Sequence, residues 1–158
     1  MPRIAPLLLM FGLVTAAACK PQTPVPAGDI AARLTVATAA GAPFDPATLR
    51  GQPALVVFWR PGCPHCLAEI PDAVRLAKDT GATIVAVQVA GRPEVGAAVL
   101  AKANWTGPHL IDDGSLREGL KIKGVPYTLA LRANGSAARA MIGRRSYDEL
   151  KSALSAAR

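Results

Sequence analysis

Six apolar residues run without interruption from Ala54 to Trp59, ALVVFW, with Pro53 before them and Pro61 shortly after. A continuous, partly β-branched run of this length suits a strand buried on both faces, which predicts the centre of a sheet. ATIVAVQVA, at residues 82–90, predicts a second buried strand, whereas RLTVAT, at 33–38, alternates and reads as an edge strand. The stretch PFDPATLRGQ between them is a turn-rich connection. From Cys63 the pattern changes to helical spacing: Leu67, Ile70, Val74 and Ala77 form an apolar stripe, and Pro64 occupies a first helical position, where its missing N–H costs nothing. Pro71, inside that helix, predicts a kink. A second helix is expected over 93–103, a short strand at HLIDD and a helical piece over 115–121. YTLALRANGSAARAMIG reads as two strands joined at Asn134-Gly135, a hairpin signal. Ser146 opens the last helix, with Glu149 three residues on to complete a capping box. Strands alternating with helices predict an α/β fold, a central mixed β-sheet with helices on both faces joined by right-handed crossovers.

A chain of 158 residues, 51% hydrophobic and 18% charged, is of a size and composition for one globular domain. Its formal charge of +7 is scattered, the longest basic run being Arg144-Arg145, and its seven aromatic residues form no stacking platform, so nucleic acid is not an expected partner. The amino terminus has its own pattern. Arg3 precedes an apolar stretch at 4–14 and the small residues TAAAC, the anatomy of an export signal. The uncharged stretch 4–19 contains Pro6 and falls short of the ~20 apolar residues that span a bilayer. Three cysteines in an exported protein leave one unpaired. Ala16-Ala17-Ala18-Cys19 resembles the lipobox of bacterial lipoproteins, in which the cysteine is acylated and begins the mature chain; Ala16 stands where that motif usually has Leu. Ala16 and Ala18 also satisfy the small-x-small rule of ordinary signal peptidase, so both processing routes stay open. Lys20 is not the aspartate that signals inner-membrane retention. The expected organisation is a lipoprotein-type signal peptide at 1–18, a lipidated Cys19 with a Pro-rich tether at 19–32, and a folded domain at 33–158, held at a membrane in the periplasm or outside the cell.

The candidate chemistry lies in FWRPGCPHC, where Cys63 and Cys66 meet the strand-to-helix junction. A structural disulfide across so short a loop would constrain the unfolded chain little. Structural zinc needs four ligands, and no second CxxC or HxxxH completes a site, so no metal is assigned. Cu(I) held by both thiols with His65 or Met141 remains an alternative. A redox pair accounts for more: a helix N-terminus stabilises a thiolate at Cys63, His65 adds a donor or cation beside it, and Cys66, deeper on the helix, can resolve a mixed disulfide. Further on, KGVPYT places Val125-Pro126 where a loop enters a strand, a bond open to the cis form and a loop able to take a substrate peptide as an added strand.

With these motifs together, the sequence resembles the thioredoxin fold and, within it, the exported, membrane-tethered reductases of the TlpA and ResA kind, which share much with the cytochrome c maturation thioredoxins. LVVFWRPGCPHCLAEIP is similar to that family's strand, active site and helix, and LIDDGSLREGLKIKGVPYTLAL to its acidic turn, helix, cis-proline loop and strand. The resemblance implies that Cys63 is the nucleophile, Cys66 the resolving thiol, Pro126 the cis-proline and Glu69 the glutamate that tunes the thiols. Without it, Glu69 reads as a solvated residue early in a helix, and Trp59 as core first and active-site wall second. Pro64, His65 and Val125 complete the expected site environment. Arg60 either brings positive charge to the site or is merely solvated, and His109 reads as an ordinary strand residue. The implied activity is disulfide exchange with protein disulfides or dithiols, with no cofactor beyond the Cys63-Cys66 pair, a membrane redox partner for recycling, and a monomeric chain. The PxxxTxxC setting of a peroxiredoxin nucleophile is absent. Two departures bear on direction. Gly62 stands where the family commonly has Trp, and the dipeptide Pro64-His65 is more like that of the oxidising DsbA group than that of the reductases.

Overall fold

Strand β1 (Ala54–Trp59) has all six side chains buried, because successive residues face two different cores. Ala54, Val56 and Phe58 join one apolar cluster, Leu55 and Val57 a second, and Trp59 a third that contains both cysteines. The computed structural model describes residues 23–158; the expected signal peptide and Cys19 lie outside the described residues.

The sheet has the order β3-β2-β1-β4-β5. Strands β2 (Thr83–Gln88) and β3 (His109–Ile111) run parallel to β1; on its other side β4 (Tyr127–Leu131) pairs antiparallel with β1, and β5 (Ala137–Ile142) antiparallel with β4. Parallel neighbours require crossovers, supplied by α1 (Pro64–Thr80) and α2 (Pro93–Lys102). Ala73 and Leu76 of α1 pack with Leu150, Ala153 and Leu154 of α4 (Tyr147–Ser155) over one face of the sheet. The other face is covered by Leu116 of the short α3 (Ser115–Gly119), by Leu120 and Ile122 beyond it, and by Ile30, Leu34 and Leu49 from the amino-terminal segment. The mixed sheet with helices on both faces is therefore present. Among the described residues no helix is long and apolar enough to cross a membrane.

Local chemistry sets the helix ends. Cys63 is the N-cap of α1, with Pro64 behind it, and at the far end Gly81 takes φ 67° and donates its N–H to Ala77 O at 2.8 Å. The helix continues past Pro71 to Thr80. The expected capping box is present on α4: Ser146 Oγ accepts from Glu149 N–H, and Glu149 accepts from Ser146 N–H at 2.9 Å.

Three expectations need correction. Residues 33–38 form no strand of the sheet: a 3-10 turn covers Ala31–Arg33, and the segment touches the β3 edge through a single bridge, Thr38 to Leu110. Its alternation comes from burying Leu34 and Val36 while Thr35 and Ala37 face out, which needs no ladder. The packed structure also begins before residue 33, since Ile30 and Ala31 are fully buried and Asp29 bridges to Ser136. On α1 the buried stripe runs Cys66, Glu69, Ile70, Ala73, Leu76, leaving Leu67 40% exposed. The hydrophobic residue lost its place to a carboxylate two residues along.

Candidate active site

Cys63 and Cys66 are joined in a disulfide with Cα atoms 5.2 Å apart. The N-cap position gives Cys63 an extended backbone, φ −89° and ψ 109°, and turns its Sγ toward the helix axis, where it accepts from Cys66 N–H at 3.2 Å. That N–H and the positive end of α1 favour negative charge on this sulfur once the disulfide opens. The exposure differs in the same sense: Cys63 retains 6% and Cys66 only 1%, so a partner reaches Cys63 first. Across from it, Cys63 Sγ lies 3.8 Å from the carbonyl oxygen of Val125, which begins the cis Val125-Pro126 peptide. The loop and the helix start, 62 residues apart in the chain, thus meet at the reactive sulfur. Trp59 is fully buried and packs with both cysteines, Ile70, Ala86 and Leu100, forming the floor of the site. Pro64 and His65 are exposed at its rim, beside Gly62, whose φ of 76° suits glycine.

Glu69 is not solvated. It is fully buried on the same helix, three residues beyond Cys66. Its Oε1 accepts from the Thr128 hydroxyl at 2.9 Å and its Oε2 from Arg145 N–H at 2.6 Å, so one carboxyl ties α1 to β4 and to the turn before α4. Burial pushes the Glu69 carboxyl above the usual range, while these two hydrogen bonds and the charges of Arg145 and Arg144 pull it partly back.

With this geometry in hand, the comparisons with known proteins are specific. The family model described as AhpC/TSA matches residues 27–140, more than half of the chain. The chain belongs to the AhpC/TSA family. Within it, the soluble secreted antigen MPT53 of Mycobacterium tuberculosis is 36% identical over 134 residues, covering 82% of this chain and 73% of that protein. The thiol:disulfide interchange protein DsbE of Pseudomonas aeruginosa is 31% identical over 101 residues, 61% of this chain and 54% of that one. Among solved structures, a secreted disulfide oxidoreductase of Mycobacterium tuberculosis homologous to Escherichia coli DsbE superposes with a TM-score of 0.72 at 31% identity, over 82% of this chain and 99% of the other. This member of the AhpC/TSA family is a thiol-disulfide oxidoreductase of the thioredoxin fold, DsbE-like, with Cys63 and Cys66 at disulfide distance.

Several polar residues of this oxidoreductase were not singled out by sequence reasoning. Gln88 pairs in register with Trp59, and its buried Nε2 donates to the carbonyls of Ala90, Gly91 and Arg92 at 3.0–3.1 Å. Its Oε1 must then accept from His109 Nε2 at 3.1 Å, which assigns the ring proton to Nε2. His109 is therefore a partnered residue rather than an idle one, held neutral by burial, which lowers its pKa, with its ring 6.0 Å from that of Trp59. The signals were present but weak: Gln88 is the polar residue inside an apolar strand run, and Thr128 the polar residue of YTLAL. Arg145 contributes through its backbone N–H, which no side-chain pattern reveals. Arg60 is exposed after β1, on a cleft that Val125 also lines. Among the described residues no three His, Cys, Asp or Glu side chains come together as a potential metal site.

Proposed function

We propose that this oxidoreductase acts outside the cytoplasm as a TlpA/ResA-like reductant of selected protein disulfides, the role such proteins play in cytochrome c maturation. The reduced pair supplies the electrons. Cys63 thiolate attacks one sulfur of the substrate disulfide; that bond breaks, and the departing sulfur leaves as a thiolate that takes a proton. Cys66 then loses its proton and attacks Cys63 Sγ, closing the Cys63-Cys66 disulfide and releasing the second substrate sulfur as a thiol. Two electrons and two protons pass from the dithiol to the substrate. No cofactor beyond the cysteine pair takes part.

The observation that carries the reductant reading is the buried Glu69 beyond Cys66 on the same face of α1. Reduction requires the enclosed Cys66 thiol to become a thiolate, and a carboxyl whose proton affinity is raised by burial can take that proton. Each Glu69 oxygen accepts one hydrogen bond and keeps a lone pair for the purpose. In this reading Pro126 and Val125 form the wall along which a substrate strand lies, and Trp59 the floor. A membrane electron donor returns the pair to the dithiol, Cys19 anchors the protein by its lipid, and the chain works as a monomer.

A second reading, a DsbA-like disulfide donor, is favoured by the N-cap hydrogen bond that stabilises a Cys63 thiolate and by the Pro64-His65 dipeptide. Both raise the reduction potential, and the span from thioredoxin to DsbA is about 150 mV. Equilibration of the pair with a series of glutathione buffers separates the two. A potential near thioredoxin's supports the reductant, and one near DsbA's overturns it. Cys63→Ser is expected to abolish insulin reduction with the fold intact; a variant of undiminished activity would remove Cys63 from the chemistry.

A further inference from the structure

A cleft of about 420 Å³ opens beside the cysteine pair, and its rim carries three cations from three different elements. Arg60 follows β1, Arg117 stands on α3, and Lys123 begins the loop that leads to Pro126. Val89, Ile122 and Val125 give it apolar walls, and no acidic side chain lines it. Among the described residues Arg50, Arg75, Arg92, Arg144 and Arg145 each pair with a carboxylate within 4 Å, whereas other cations, Lys78 and Lys102 among them, do not. Among the described residues Arg60, Arg117 and Lys123 make no ion pair. The Asp112 carboxylate accepts from the N–H groups of Gly114, Leu116 and Arg117 at the start of α3 and forms no ion pair with the three cations.

The cleft is joined to the chemistry through one residue. Val125 lines it, and the carbonyl of the same Val125 meets Cys63 Sγ at 3.8 Å. A polypeptide whose cysteine is bonded to Cys63 can therefore run its flanking residues past this mouth. Three like charges converging on a concave, partly apolar surface repel one another and attract an anionic occupant. The guanidinium groups of Arg60 and Arg117 suit carboxylates, which they can bind in bidentate fashion.

We propose that this cleft is a substrate subsite that selects an acidic segment flanking the reactive cysteine of the partner protein. The inference rests on disulfide exchange at Cys63 and names the client by its charge: acidic residues beside the cysteine, with an apolar side chain for the Val89, Ile122 and Val125 walls. It is independent of the direction in which the pair works in the cell, because the subsite contacts residues around the sulfur rather than the sulfur itself.

The test uses the full chain with its cysteines reduced and two disulfide peptides that differ only in flanking Glu-Glu or Gln-Gln. Single-turnover rate constants are read for each, so the reduction potential does not enter the ratio. The acidic peptide is expected to react about tenfold faster at low ionic strength, and most of that advantage should vanish at about 0.5 M salt. The double variant Arg117→Gln, Lys123→Gln should bring the ratio of acidic to neutral rates close to one. The control Lys78→Gln, Lys102→Gln, with the same loss of charge on α1 and α2 away from the cleft, should keep it. A single charge reversal, Arg117→Glu, should shift preference toward a peptide flanked by Lys-Lys. Equal rates for the two peptides, or an equal loss of preference in both double variants, would overturn the subsite and leave the exchange reaction standing. Reaction with neither peptide would overturn the exchange reading and the subsite together.

Discussion

At the scale of single residues, Glu69 has the least ordinary environment in the site, a carboxyl without solvent and with both oxygens engaged. Its raised proton affinity has a consequence for stability with a definite sign. The folded chain binds this proton more tightly than the unfolded chain, whose value lies near the ordinary 4.5. The stabilising contribution is complete below that value and is lost as pH rises through the higher folded value. Glu69→Gln removes the titration. The melting temperature of the variant relative to wild type should therefore be higher at about pH 8 than at about pH 4, whatever the constant offset from altered hydrogen bonding. A difference independent of pH would mean that Glu69 binds its proton equally in both states. The same variant should slow closure of the mixed disulfide by Cys66, read as accumulation of the Cys63-linked species in rapid quench, if the carboxyl receives the Cys66 proton.

The elements explain why the chemistry can be changed without losing the fold. Cys63 caps α1 through its sulfur, and serine is a preferred residue at that position, so Cys63→Ser keeps a cap while deleting the nucleophile. The reciprocal cap on α4 is purely structural: Ser146→Ala should cost about 1 kcal/mol in urea unfolding and leave exchange kinetics unaltered. A tighter joint holds α2 to the sheet. A Cβ on Gly96 would stand 1.8 Å from Gln88 Oε1, which is committed to His109, and the Gln88 Nε2 is committed to three loop carbonyls. Gly96→Ala is therefore expected to destabilise by about 1–3 kcal/mol, seen as a lower urea midpoint.

For the molecule as a whole, the amino-terminal segment belongs to the fold. Ile30 and Ala31 join the cluster that covers one face of the sheet, their N–H groups both donate to Gly135 O, and Asp29 pairs with Arg50. A chain starting at residue 33 should lose about 2–5 kcal/mol of stability, the range of a large apolar side chain removed from a core. One starting at residue 27 should unfold at the wild-type urea concentration. The folded part thus begins earlier than composition suggests, because the PVPAG stretch gives no hint that the residues after Asp29 turn inward.

Sequence alone determined what depends on neighbours in the chain. A continuous apolar run bounded by prolines defined β1, Asn134-Gly135 placed the hairpin, and Ser146 with Glu149 opened α4, since each signal spans only a few residues. The cysteine pair was legible for the same reason, as the two cysteines are three residues apart at the start of one helix. Tertiary structure decided what depends on distant groups. Glu69 became a buried tie because Thr128 and Arg145, 59 and 76 positions away, came to meet it. Gln88 found His109 on the neighbouring strand, and Ile30 entered the core. Arg60, Arg117 and Lys123 became one cleft only when β1, α3 and the Pro126 loop converged. Helical and strand periodicity are written in local spacing, but burial of a charge and convergence of cations depend on which surfaces the folded sheet brings together.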